Sequence, residues 1–381
     1  MNHILKPIFI FSLAVAVTGC GRNKTAAGTA ICSGLADRMA ASVEAGMILY
    51  GHQDDLVYGH TWHVSPDSAA TDDLTRSDVH AVAGDYPAVV GFELGGLELG
   101  WETSIDKVPF ELIRRASVEH VRRGGIVTYS WHPHNPYTGS NAWDVSSDKA
   151  VASILEGGEH ADMFRGWLVR LGDFFDSLRD EDGNLVPVIF RPWHENIGSW
   201  FWWGGKLCSA EEYIALFRTT ASYLRHERGL DNILFCYSPN SQIDAELYMS
   251  RYPGDDLVDM LGLDHYEYVE EGESLYDAGL HYAALLAEGL DMVRDLAAEH
   301  GKLMALSETG VEGIPDEKWW TSVLYPVIRD YPIVYVLTWR NAWNQETHYY
   351  APFPGREGDF NAFVAEPGIG LLQDFNGNTT E

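Results

Sequence analysis

Eight short apolar runs, each followed by a longer stretch of helical spacing, are the feature that most narrows what this chain can fold into. The runs are Met47–His52, Ala88–Leu94, Gly125–His132, Pro187–His194, Asn232–Ser238, Met260–His265, Leu303–Ser307 and Val334–Trp339. Each is rich in Val, Ile, Leu or Tyr, and such continuous runs suit strands buried on both faces, as in a parallel sheet. Helix signals lie between them. Ser209-Ala210-Glu211-Glu212 reads as a capping box, with Tyr213, Leu216, Phe217, Thr220 and Leu224 at helical spacing behind it and Gly229 as a stop. Phe110, Ile113, Ser117 and Val121 repeat the spacing before Gly124-Gly125, and Tyr282 to His300 form a further helix ending at Gly301. The alternation, unbroken by a Pro/Ser-rich linker, predicts a single-domain (β/α)8 TIM barrel. A doubly wound open sheet is the rival architecture, but neither Gly95-Gly96 nor Gly124-Gly125 opens a dinucleotide fingerprint, and there is no P-loop.

The charge bears on partners rather than fold. The 381 residues carry 26 Lys+Arg against 56 Asp+Glu, a net charge of −30. Nucleic acid and anionic membrane surfaces need clustered cations, so the charge argues against them as partners, and acidic polysaccharides fit poorly. Aromatic residues reach 12%, including 13 Trp, which favours a neutral ligand that stacks on rings.

The amino terminus reads as an address. Ile8–Val17 is an apolar run behind Lys6, too short to span a bilayer, and ends in Val17-Thr18-Gly19-Cys20. This resembles a bacterial lipoprotein signal, with cleavage before Cys20 and lipidation of its thiol. The expected division is a signal over residues 1–19, the lipidated Cys20 and a tether over 20–30, and a catalytic domain over 31–381. The expected location is the cell envelope, anchored to the outer membrane and facing either the periplasm or the exterior. Cys32, Cys208 and Cys236 would remain in the mature chain, with no disulfide framework and no zinc-like spacing.

Several predicted strands end in polar groups that a plain core would not require, at the barrel end where catalytic loops gather. Glu195 closes the fourth and Glu308 the seventh. Two carboxyl groups flanking a bond are what glycoside hydrolysis needs: one protonates the leaving oxygen, the other attacks the anomeric carbon or activates water. Glu195 follows Trp193-His194 and precedes Trp200-Phe201-Trp202-Trp203, an apolar setting that favours a protonated acid. Glu308 is expected beside Arg340, whose charge would keep it ionised as a nucleophile. The four consecutive aromatics are read as a sugar-stacking loop, since in regular structure they could not all point inward. Histidines at positions 52, 60, 63, 132, 134, 194, 265 and 348 raise metal catalysis as a competing reading, but they form no HxH or HExxH cluster with a carboxylate partner. No metal and no cofactor is expected. A non-catalytic glycan-binding lipoprotein is the other alternative, and it leaves both strand-end carboxylates without work.

These residues carry a family resemblance. Gly51-His52-Gln53, Trp131-His132-Pro133, Arg191-Pro192-Trp193-His194-Glu195 followed by Trp200, Asp264-His265-Tyr266, Ser307-Glu308-Thr309-Gly310 and Trp339-Arg340 together resemble the retaining glycoside hydrolases of family 26, chiefly β-mannanases, over nearly all of residues 45–345. The resemblance implies Glu195 as acid/base and Glu308 as nucleophile, with the carboxyls about 5–5.5 Å apart. It implies that His194 orients Glu308 or meets the −1 sugar and that Tyr266 hydrogen-bonds the nucleophile. Trp200 and Trp339 would stack around the cleavage point; Asp264, Arg340 and His132 would contact the glycone sugar. The implied substrate is β-mannan or manno-oligosaccharide, acted on by a monomer. Relatives acting on mixed-linkage glucan or β-1,3-xylan are alternatives within the same chemistry. Loops 142–160, 267–277 and 341–359 match no family motif and are expected to shape the cleft.

Overall fold

Side chains alternate along each predicted strand between two apolar clusters. Leu49, Val89, Ile126, Ile189 and Leu234 pack together on one side of the sheet. Their neighbours Tyr50, Val90, Val127, Phe190 and Phe235 pack on the other, against the helices. A sheet with a core on both faces must either be sandwiched between helices or close on itself, and this one closes. In the computed structural model, which describes residues 29–241 and 244–377, the strands are β1 (Ile48–Gln53), β2 (Val89–Glu93), β3 (Ile126–Ser130), β4 (Val188–Arg191), β5 (Ile233–Tyr237), β6 (Met260–Glu267), β7 (Leu303–Val311) and β8 (Ile333–Thr338). All pair parallel with their neighbours in chain order. Closure comes from β8 on β1, in register from Leu49 opposite Tyr335 to His52 opposite Thr338. The fold is the (β/α)8 barrel, and every predicted strand is present, shifted by a few residues at its ends.

The helices follow their local signals. Ser209 caps the helix Ala210–Ser222 through the reciprocal box, its hydroxyl accepting from Glu212 N–H while the Glu212 carboxylate takes the Ser209 N–H. Gly301, at φ 62°, ends the helix Leu275–His300, which begins earlier than the periodicity suggests, at the Ser274 cap. Two elements carry no sequence signal strong enough to read. A short strand at Ile369–Gly370 adds to β1 from outside, and Tyr58–Gly59 pairs with Trp62–His63 in the loop after β1.

The helix Thr29–Glu44 sends Leu35 and Met39 into the inner cluster with Phe375. This places apolar plugs beside the N-terminal ends of the strands and leaves the polar ends for the loops. Cys236 is fully buried in the same cluster, and the cysteines at 32, 208 and 236 are all free. The expected signal and Cys20 lie outside the described residues. No helix of the described residues is long and apolar enough to cross a membrane.

Candidate active site

The alternation that puts Ile189 inside the barrel also turns Arg191 inward at the C-terminal end of β4. By the same count Glu93, Asp264, Tyr266 and Trp339 fall on the inner face of β2, β6 and the end of β8. A buried guanidinium must be paired, and Arg191 is: one terminal nitrogen reaches Ser238 Oγ at 3.0 Å and Asp264 at 3.2 Å, and the other binds Glu308. Burial works against its charge, but Asp264 and Glu308 outweigh that and hold it well above the ordinary arginine range.

Glu308 enters this network because β7 is irregular. Leu263 pairs with Leu306, while the next residue of β6, Asp264, pairs with Glu308, so Ser307 is extra. A bulge lets consecutive residues serve one polar cluster. Ser307 Oγ donates to Asp264 at 2.7 Å, and Glu308 takes Arg191 on one oxygen and the Tyr266 hydroxyl, at 2.9 Å, on the other. A cation and a phenol thus both stabilise negative charge on this carboxylate.

Glu195 sits on a turn rather than a strand. Trp193 and Glu195 both adopt left-handed backbone, at φ 57° and 52°. Such a conformation costs about 1–3 kcal/mol for a residue other than glycine and clusters at working sites. It is held by the Tyr213 hydroxyl on the Trp193 carbonyl, 2.8 Å, and by Glu195 N–H on the Ser238 carbonyl, 2.8 Å. The Glu195 carboxyl accepts from Trp200 Nε1 at 2.5 Å. Burial, then the nearby Glu308, push Glu195 up to about 7. One oxygen each of Glu195, Asp264 and Glu308 lie within 4.8 Å of one another, so the two glutamates are close enough to act on one bond from a single site.

A histidine pair borders the two carboxyls. Glu93 accepts from His132 twice, from the backbone N–H at 2.8 Å and from Nδ1 at 2.7 Å. Burial alone would lower His132, but Glu93 outweighs it and raises it. His194 is pushed well below its ordinary value by burial and by the charges of His132 and Arg191. The two rings meet through their Nε2 atoms at 3.1 Å. His194 Nε2 stays 3.9 Å from Glu308, too far for a hydrogen bond. The expected orienting contact is thus a packing contact.

Comparison with known proteins supplies the family. The sequence profile of glycosyl hydrolase family 26 matches residues 36–307. The chain belongs to that family. Among solved structures it is similar to a GH26 β-mannanase from Bacteroides ovatus, with 43% identity, a TM-score of 0.83, and coverage of 90% of this chain and 95% of that one. An endo-β-1,4-mannanase double mutant from Cellulomonas fimi is 32% identical at a TM-score of 0.78, covering 93% of this chain and 79% of that one. A mannan endo-1,4-β-mannosidase from Bifidobacterium adolescentis is 32% identical over 81% of this chain and 32% of its own length. The chain thus spans about a third of that relative, and 49% of a similar one from Caldalkalibacillus mannanilyticus.

Within this family 26 barrel, three expectations need correction. The cation on Glu308 is Arg191, whereas Arg340 pairs with Asp106 at 3.3 Å. Adjacent strands do not guarantee contact, because Arg340 lies beyond the end of β8. Asp264 is held beneath the site by Arg191 and Ser307, which makes it a brace for the guanidinium rather than an open sugar contact. The aromatic segment also divides unequally: Phe201, Trp202 and Trp203 are buried, and only Trp200 is exposed, at 43%. The turn is neither helix nor strand, so its side chains can leave in several inward directions. Trp202 Nε1 finds the Pro133 carbonyl at 2.9 Å, and Trp203 Nε1 finds that of His194 at 2.8 Å.

Trp339 and His132 have ring centroids 6.1 Å apart, which brings Trp339 to the same site. Arg191 and Glu93 are given no role by sequence reasoning, although they end β4 and β2 on the inward parity. Among the described residues, Glu195, Asp264 and Glu308 are the only group placed to share a metal ion. Its oxygen donors would suit a hard cation rather than zinc, but Arg191 already bridges two of the three carboxylates.

Proposed function

We propose that this chain hydrolyses β-1,4-mannosidic bonds of mannan, galactomannan or manno-oligosaccharides by double displacement. The observation that carries the reading is the asymmetry of two close carboxyls, one raised to about 7 and one held by a guanidinium and a phenol. Glu308 attacks the anomeric carbon while Glu195 gives its proton to the departing glycosidic oxygen. Glu195 then takes a proton from water, which opens the glycosyl–Glu308 ester and releases the sugar with its configuration retained. Trp200 and Trp339 flank the bond as stacking surfaces, and His132, His194, Asp264 and Arg340 line or brace the glycone side. Mannan as substrate is supported by the similarity to the β-mannanase of Bacteroides ovatus and the endo-β-1,4-mannanase of Cellulomonas fimi.

The apolar run ending at Cys20 supports a further part of the proposal, a lipoprotein anchored through that residue to the outer membrane; the proposal also takes residues 31–381 as the catalytic domain and a monomer as the acting species. The deciding experiment is a product time course on linear mannan, galactomannan, mixed-linkage glucan and β-1,3-xylan, with the anomer formed first followed by NMR. Release of β-configured manno-oligosaccharides is expected. Preferred cleavage of either other polymer overturns the substrate, and initial α-products overturn the retaining mechanism. Labelling of the intact protein by a fatty-acid probe, lost in Cys20→Ala, tests the anchor.

A further inference from the structure

The phenol that bonds Glu308 comes from β6, and what keeps that phenol in place comes from a different loop. Tyr266 is half-buried and stands opposite Gly310 in the register of β6 and β7. Its hydroxyl donates to the Glu308 carboxylate at 2.9 Å, but a ring that is not enclosed on all sides can move about its side-chain torsions unless a neighbour blocks it. Tyr350, from the loop after β8, is that neighbour. Its ring meets the Tyr266 ring edge to face, with centroids 5.7 Å apart and planes at 75°. Gly310 makes the room. It stands at φ 140°, and a Cβ there would come within 2.7 Å of Tyr350 Cδ1 and 3.1 Å of Tyr350 Cβ. The glycine two residues after Glu308 thus supplies a backbone that other residues adopt only with strain, and a gap that the Tyr350 ring fills.

The root of Tyr350 is itself fixed. Asn341, fully buried at the start of the same loop, accepts the backbone N–H groups of Tyr350 and Ala351 on its Oδ1, each at 3.0 Å. Its Nδ2 donates to the Ala351 carbonyl at 3.2 Å and to Asp78 at 3.0 Å, so the carboxamide is fully used. Asp78 in turn takes Trp62 Nε1 at 2.8 Å and the His60 N–H at 2.7 Å from the loop after β1. The neighbouring Tyr349 carbonyl accepts the Gly313 N–H at 2.8 Å, just beyond the end of β7. The backbone of Tyr350 is therefore tied to the segments after β1, β7 and β8, while its ring lies on the strand pair that carries Tyr266 and Glu308. These contacts use the ring and the backbone of Tyr350, not its hydroxyl.

We propose that Tyr350 is a positioning residue for the nucleophile, acting through Tyr266: it holds the phenol at hydrogen-bond distance from Glu308 and so fixes the plane of the attacking carboxylate. The proposal rests on the reading of Glu308 as the nucleophile of a glycan hydrolase. The test is a double-mutant cycle on mannopentaose, with kcat and KM measured for wild type, Tyr350→Ala, Tyr266→Phe and the two changes together. Tyr350→Ala should lower kcat about tenfold, within the worth of a hydrogen bond to a charged group. KM should stay within about twofold, because carboxylate orientation counts in the transition state. With Tyr266→Phe already in place there is no hydroxyl to position, and adding Tyr350→Ala should leave kcat nearly unchanged. Tyr350→Phe keeps the ring and should match wild type. If circular dichroism shows that Tyr350→Ala does not fold, Tyr350→Leu takes its place in the cycle. An unchanged kcat, a loss confined to KM, or an equal loss of kcat with and without the Tyr266 hydroxyl each overturns the proposal. Failure of the underlying reading looks different: Glu308→Ala would then keep its activity whatever the cycle shows. If cellopentaose or xylopentaose is cleaved in preference to mannopentaose, the substrate reading fails and the cycle is decided on that ligand.

Discussion

Glu195 and Glu308 carry the same functional group within 4.8 Å of each other, yet their surroundings differ in nearly every respect. Glu195 stands on a strained turn, with one indole donor and, among the described residues, no cation bonded to it. Glu308 stands on a bulged strand, bonded to Arg191 and Tyr266. The difference teaches that chemical role here follows from backbone placement. A bulge brings one carboxyl onto a buried guanidinium, and a left-handed turn keeps the other off it, where burial and like charge favour the protonated form.

The largest effect expected from breaking this contrast is at Glu308. Glu308→Ala should lower turnover on mannan by about 10⁴-fold or more, because it removes the group assigned to form the covalent intermediate. Circular dichroism should remain that of a folded barrel, and activity near wild type would remove Glu308 from the role. Glu195→Ala should cost about 10²–10⁴-fold on polymer, the usual size of general acid catalysis. A substrate with a good leaving group should lose much less in its first step, and azide should restore release of the intermediate as a glycosyl azide. Absence of both rescues would assign the proton to another group.

Arg191→Met sharpens the comparison from the other side. It leaves Asp264 and Glu308 buried together without their cation, which should destabilise the fold by about 3–5 kcal/mol, read as a shift in the urea midpoint. An unchanged midpoint would mean that the two carboxyls find other partners. The smallest effect is expected at Trp200. Glu195 must be protonated to act as the acid, so kcat/KM should fall as pH rises through about 7. The Trp200 hydrogen bond lowers the Glu195 pKa, so Trp200→Phe should move this basic limb to higher pH. A limb that stays fixed or moves down would show that another group sets it.

How much of this is readable in the residues depends on the range of the interaction. The eight strands are legible because burial on both faces leaves continuous apolar runs, and the catalytic pair because each glutamate ends such a run. The partners of those groups are not. Arg340 is the nearest cation by strand order, but Arg191, inside the motif that ends in Glu195 and on the inward parity of β4, makes the contact. In sequence the His132-x-His134 pair looks unpartnered because its carboxylates, Glu93 and Glu98, belong to a different strand and turn. Consecutive aromatics read as cleft surface only where helix or strand periodicity holds, and the left-handed residues before Trp200 are invisible in composition.

The sequence by itself determined the barrel, the strand ends where its chemistry collects and the two glutamates, since periodicity and strand-end polarity are local properties that one chain displays along its length. Only the tertiary structure decided which cation each carboxyl meets, which aromatic stays exposed and which glutamate steadies which histidine. Those outcomes turn on a one-residue bulge in β7 and two positive φ angles after β4. Each rotates a side chain from one set of neighbours to another without leaving a pattern in the residues themselves.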